Sequence, residues 1–149
     1  MNSLRRRVED RHTMRLELSN RTEFARRALG VLAAAPDTIR KGSDLAAEVG
    51  TTRHYLPQVM RPLVEAGWVV SEPGPTGGYL ITRAPGSATL WDLISIVESR
   101  ADEGRCVVTG GPCTEDASCS VHRAWQKARS ALQRELAAAP AIDRSRAVG

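Results

Sequence analysis

Cysteine is absent from 135 of the 149 residues; all three cysteines lie between Cys106 and Cys119. No apolar run approaches the roughly 20 residues needed to cross a bilayer, which excludes a transmembrane chain. The first residues, Met1 to Arg11, are arginine-rich but lead into no hydrophobic stretch. No secretory signal is therefore expected, and the chain is placed in the cytoplasm without a membrane partner. Aromatic residues are scarce, at 4%. No Ser-His-Asp, Cys-His or paired-carboxylate arrangement is suggested, so no enzyme is expected. What is present is 42% apolar and 26% charged residues. That balance belongs to a soluble folded protein and argues against full disorder or a fibrous repeat. The length supports one domain, or one domain with a helical appendage.

The formal net charge is +4, and its distribution is uneven. Residues 1–65 hold 12 Lys/Arg against 8 Asp/Glu, and residues 66–149 hold 9 of each. The whole excess lies in the first half, which points to a polyanionic partner for that half.

Residues 1–13 lack apolar content and period and read as a disordered basic arm; Met14 offers an alternative start. From Ser19 to Ala35, Phe24, Ala28, Leu29, Val31 and Leu32 recur at helical spacing, and Pro36 ends the run. Ile39 suggests a short strand. Ser43 can cap a second helix, Asp44 to Val49, which Gly50 stops. Thr51 or Thr52 can cap a third, running to about Glu65 with Gly67 as terminator. Trp68 to Ser71 and Tyr79 to Thr82 are strand-like and are joined by the turn chemistry of residues 72–78, giving a hairpin. A hairpin directly after a helix-turn-helix is a winged helix. Thr89 opens another helix with Asp92 as its capping partner, and Leu90, Leu93, Ile94 and Val97 form its apolar face. A last helix runs from about Ser120 to Ala138. Its stripe of Val121, Trp125, Ala128, Leu132 and Leu136 suits packing against another helix, favouring a two-fold homodimer on a palindromic operator. Residues 139–149 read as a disordered tail. The expected fold is mainly α with a small β-hairpin: a winged helix-turn-helix over residues 14–84, then residues 85–138 with a cysteine loop and a long dimerisation helix.

Within the third helix, Leu56, Val59, Met60 and Leu63 share a face and belong to the core. Arg53, His54, Gln58 and Arg61 are left on other faces. Arginine reads guanine and glutamine reads adenine in the major groove of double-stranded DNA. Thr51, Thr52 and Tyr55 are candidate phosphate donors, and Thr76, Gly77 and Gly78 lie in the wing. Pro57 is tolerable near the first turn, whereas Pro62 is expected to kink the helix or end it early.

The cysteines form a C-x6-C-x5-C-x2-H run: Cys106, Cys113, Cys119 and His122. Gly110, Gly111 and Pro112 give the loop room to wrap. A cytosolic chain seldom oxidises its thiols, and structural cysteines would scatter through the core rather than gather in a polar loop. Metal is the reading that remains. Three Cys and a His suit tetrahedral zinc and equally an iron–sulfur cluster, and spacing alone chooses neither.

Taken together, Met14-Arg-Leu, the helix-turn-helix, Tyr55-Leu-Pro-Gln, Gly74-Pro-Thr-Gly-Gly-Tyr79-Leu and Cys119-Ser-Val-His122-Arg-Ala-Trp125 resemble the IscR/NsrR-type family of bacterial transcription regulators, also called Rrf-two. The resemblance covers about residues 14–138. It implies a winged-helix homodimer that binds DNA under the control of an iron–sulfur cluster. In IscR-like members three Cys and a His hold a [2Fe-2S] cluster, sensing iron–sulfur supply or redox state; these map to Cys106, Cys113, Cys119 and His122. That form is favoured over the NsrR-like one, a nitric-oxide-sensing repressor with [4Fe-4S]. There an acidic residue from the partner's first helix can be the fourth ligand, and Glu23 occupies the matching region. A structural-zinc nucleic-acid binder is the reading from outside the family. The sequence departs from the family in three places. The first cysteine spacing is six rather than five, Pro57 stands where IscR-like members have an acidic residue, and Glu72-Pro73 stands where they have an arginine. Operator contacts are therefore not transferable.

Overall fold

The computed structural model describes residues 18–98 and 120–143. Among these, the order is α1 (Asn20–Ala34), α2 (Gly42–Val49), α3 (Leu56–Glu65), β1 (Val69–Glu72), β2 (Gly78–Ile81), a 3-10 turn (Ala84–Ser87), α4 (Leu90–Val97) and α5 (His122–Ala138). This is the winged helix expected from the sequence. No helix among the described residues is long and apolar enough to cross a membrane.

Each core element turns its apolar stripe to one cluster. Ala25, Ala28, Leu29 and Leu32 come from α1, Leu45, Ala46 and Val49 from α2, and Leu56, Val59, Met60 and Leu63 from α3. Leu93 and Val97 of α4 enter the same cluster. Each buried Leu, Met or Val contributes about 1.5–3 kcal/mol by leaving water. Ser19 caps α1 by accepting from Thr22 N at 3.1 Å. Thr89 and Asp92 form the reciprocal capping box expected for α4. Gly50 closes α2 in the left-handed conformation at φ 83°, and its N–H and that of Thr51 both return to the Ala46 carbonyl.

Four local expectations shift. Ser43 is not a cap: α2 starts two residues earlier, behind Lys41, and no side chain caps it. The segment from Thr52 to Tyr55 is a turn, because Thr52 Oγ1 and its carbonyl both accept from Tyr55 N at 3.1 Å, and α3 starts only at Leu56. Pro62 does not end α3, which runs on to Glu65. The carbonyl that Pro62 leaves without its helical donor, Gln58 O, is taken by Arg21. The chain beyond α5 is not free at once. Leu90 N donates to Ala139 O at 2.8 Å, Ala141 N to Ala88 O at 2.9 Å, and Ala141 and Ile142 are buried. The remaining tail, 144–149, and the arm, 1–13, lie outside the described residues.

β1 and β2 pair antiparallel from Val69 opposite Ile81 to Glu72 opposite Gly78. A third segment joins them: Arg40 N donates to Tyr79 O at 2.9 Å and Tyr79 N to Arg40 O at 2.8 Å. The short strand suggested at Ile39 is thus a bridge at Arg40, and it ties the wing to the entry of α2.

Candidate nucleic-acid interface and metal-ligand positions

The turn that displaces the start of α3 also places its candidate base readers. Arg53 and His54 are exposed on the turn rather than on the helix. Gln58 and Arg61 are exposed on α3 itself. Arg61 Nε pairs with Glu65 Oε1 at 2.8 Å one turn on, and that hydrogen bond raises its pKa further. Both ends of the pair are open to solvent, so Arg61 can exchange the carboxylate for another acceptor at little cost. Thr51 is half-buried and Thr52 exposed, with the Thr52 hydroxyl oxygen already accepting from Tyr55 N. Tyr55 is half-buried, its ring edge-on to Phe24 at 6.2 Å, so it serves the core as well as the surface.

The wing glycines have a structural cause. A Cβ on Gly77 would stand 2.0 Å from the Glu72 carbonyl oxygen, and one on Gly78 would stand 2.1 Å from that of Arg40. Both positions demand glycine because backbone approaches backbone there. Gly77 is buried, while Thr76 is exposed at the tip.

Between the start of α2, the turn before α3 and the wing lies a groove of about 420 Å³, lined among others by Lys41, Ser43, Arg53, Pro57, Gly74 and Tyr79. Two cations thus meet the uncapped N-terminus of α2, whose first N–H groups and dipole favour an anion. Lys41 is not among the residues singled out by sequence, and Ser43 reads there as a cap. The readable signal was the Lys41-Gly42-Ser43 run opening a helix with no carboxylate before Asp44.

Of the four candidate metal ligands, only His122 is among the described residues; Cys106, Cys113 and Cys119 lie outside them. His122 opens α5 and is half-buried. It borders a recess of about 590 Å³ shared with Arg123, Gln126, Lys127, Ser130 and Arg134. Among the described residues no three His, Cys, Asp or Glu side chains converge. The donor set of three thiols and an imidazole fits a cluster or zinc in kind.

Glu23 is committed elsewhere. Arg26 grips its carboxylate through Nε at 2.8 Å and Nη2 at 2.9 Å, and Arg27 adds Nε at 2.9 Å. The Arg26 hydrogen bonds, partly offset by desolvation and reinforced by Arg27, hold its pKa down at about 2. Serving as a metal ligand would require releasing two guanidinium groups.

Comparison with known proteins agrees with the winged-helix fold. Residues 18–139 match the Rrf2 family, described as iron-dependent transcriptional regulators. An HTH-type transcriptional regulator of Aquifex aeolicus is 31% identical over 117 residues, covering 77% of this chain and 81% of the relative. The HTH-type transcriptional regulator IscR of Klebsiella pneumoniae is 34% identical over 84 residues, 56% of this chain and 51% of that protein. The match therefore spans about half the length of IscR. Among solved structures, T. potens IscR superposes with a TM-score of 0.64 at 23% identity, covering 86% of this chain and 85% of that one. CymR, the global cysteine regulator of B. subtilis, gives 0.64 at 24% identity, covering 85% and 94%.

Proposed function

The chain belongs to the Rrf2 family of transcriptional regulators, and from that premise we propose that its operator affinity is set by an iron–sulfur cluster. Cys106, Cys113 and Cys119 would supply thiolates and His122 an imidazole, favouring an IscR-like [2Fe-2S] centre. The observation that carries the DNA-reading half is the groove where Lys41, Arg53 and the open end of α2 face the wing. A backbone phosphate seated there would meet two cations and free N–H groups. That contact would set the register of the protein on the duplex. The neighbouring Gln58 and Arg61, exposed on α3, would then reach base edges, and Thr76 would reach the backbone from the wing tip.

Homodimerisation through α5 is part of the same reading. No residue of α5 is buried among the described residues, and Val121 and Leu132 are 41% and 44% exposed. An amphipathic helix with Val121, Ala128 and Leu132 of its apolar stripe exposed is suited to a symmetry mate, which would place two α3 helices on two half-sites. The bound cluster would supply a centre whose oxidation, nitrosylation or loss alters what the cysteine loop can hold in place. His122, as the first residue of α5, would transmit that change to the dimer helix. The nitric-oxide reading with Glu23 as fourth ligand is weakened by the grip of Arg26 and Arg27. CymR carries a regulator of cysteine on the same fold, so the fold alone does not select the signal.

The test uses duplexes selected from a random-sequence library by the anaerobically purified protein, with affinity measured before and after removal of iron. A change in affinity on removal is expected. Lys41→Ala and Arg53→Ala are expected to weaken all duplexes alike and to lower the salt slope by about 1 each. Gln58→Ala is expected to relax preference at one base pair. Sequence-blind binding in both states would contradict the proposal.

A further inference from the structure

Pro62 sits inside the ten-residue helix α3 and has no N–H to give. In a regular α-helix that N–H would go to the carbonyl four residues back, which is Gln58. Arg21 of α1 supplies the donors instead, Nε at 3.2 Å and Nη2 at 2.9 Å from Gln58 O. A fork from another helix thus replaces a bond the recognition helix cannot make for itself.

The turn that carries Arg21 is itself fixed. Thr22 is completely buried, and its Oγ1 donates to Glu98 Oε1 at 2.6 Å. Ser19 Oγ accepts from Thr22 N at 3.1 Å and is bonded to the same carboxylate oxygen. Glu98 follows the last residue of α4, where its own N–H closes the helix on Ile94 O at 2.8 Å. One turn of α1 is therefore held by α4 on one side and holds the backbone of α3 on the other. The carbonyl it holds belongs to Gln58, whose side chain is exposed beside Arg61 on the face offered to DNA.

We infer that Arg21 is a positioning residue for DNA reading. Its guanidinium stands in for the hydrogen bond that Pro62 removes and so fixes the path of α3 against α1. The inference rests on α3 being the DNA reader. It requires that Arg21 matter only because residue 62 is proline, since Pro62→Ala gives the Gln58 carbonyl a donor within the helix.

The experiment is a substitution cycle in the full chain: Arg21→Ala, Pro62→Ala and the double variant. Urea midpoints are measured alongside affinity for a duplex selected from a random-sequence library by the unsubstituted protein. Arg21→Ala is expected to weaken affinity about tenfold at temperatures where it is fully folded, and to lower the urea midpoint. In the Pro62→Ala background the same change is expected to alter affinity by less than about twofold. Equal losses in the two backgrounds would overturn the inference, because Arg21 would then be touching the phosphate backbone itself. Unchanged affinity in the Pro62 background would overturn it too, whether or not the midpoint falls. If the unsubstituted protein selects no duplex, it is the DNA-reading assignment that fails. The urea midpoints then still decide whether Arg21 serves Pro62.

Discussion

Replacing Gly78 by alanine tests how the wing is attached. The new Cβ would stand 2.1 Å from the Arg40 carbonyl oxygen and 2.7 Å from its carbon, with φ at 155°, a region essentially reserved for glycine. Backbone cannot yield there without breaking the Arg40–Tyr79 bridge, whose two hydrogen bonds are 2.9 and 2.8 Å long. Losing both costs about 1–3 kcal/mol, and residual strain adds about 1–3 kcal/mol. A loss of about 2–6 kcal/mol corresponds to roughly 6–18 °C in Tm for a chain of this size. Gly74→Ala is the control: its φ of 97° is also positive, but nothing lies within 4 Å of the added Cβ. It bears only the backbone cost of about 1–2 kcal/mol. Calorimetry or urea unfolding of the two variants separates the contributions. Gly78→Ala no worse than Gly74→Ala would refute the close approach of wing and Arg40.

Three further outcomes are expected. Glu23→Gln should cost about 0.5–1 kcal/mol at pH 7, discounted because the ion pairs are partly solvated. The carboxyl is depressed from 4.5 to about 2, so its contribution is present above pH 4.5 and fades as pH falls towards 2. Urea midpoints of the two proteins should converge over that window; a constant gap would deny the ion pair its role. Gly30→Ala, in the middle of α1 with open space around its Cβ, should stabilise by about 0.8–1 kcal/mol in thermal unfolding. Destabilisation would mean that something covers that face. Leu132→Glu, on the exposed stripe of α5, should turn a dimer into a monomer in sedimentation; an unchanged mass would remove α5 from the interface.

Local signals in the sequence were sufficient wherever a few neighbouring residues decide the outcome. The Thr89/Asp92 capping box, the left-handed stop at Gly50, the hairpin around the Gly-Pro turn and the apolar face of α3 all belong to that kind. Failures arose where a distant residue intervenes. Pro62 reads as a helix breaker until Arg21, far away in sequence, is seen holding the Gln58 carbonyl. Gly77 and Gly78 are legible only as wing residues; that the carbonyls of Glu72 and Arg40 leave no room for a side chain there shows only once the segments are brought together. Residues 139–142 lack periodicity, so their return to pair with Ala88 and Leu90 was invisible. For the site, residue types and spacing point to candidate metal donors, of which only His122 lies among the described residues, while the groove at Lys41, Arg53 and Gly74 is formed by three segments separated in sequence.

The proposed function rests on an iron–sulfur cluster that is held by the cysteine run and governs DNA binding. Its most direct test is the visible spectrum of anaerobically purified protein, with iron, sulfide and zinc analysis on the same sample. A coloured protein with iron and sulfide in equal amounts is expected. The colour should be lost in Cys106→Ala, Cys113→Ala or Cys119→Ala, changed in His122→Ala and kept in Glu23→Gln. A colourless protein holding one zinc per chain would contradict it.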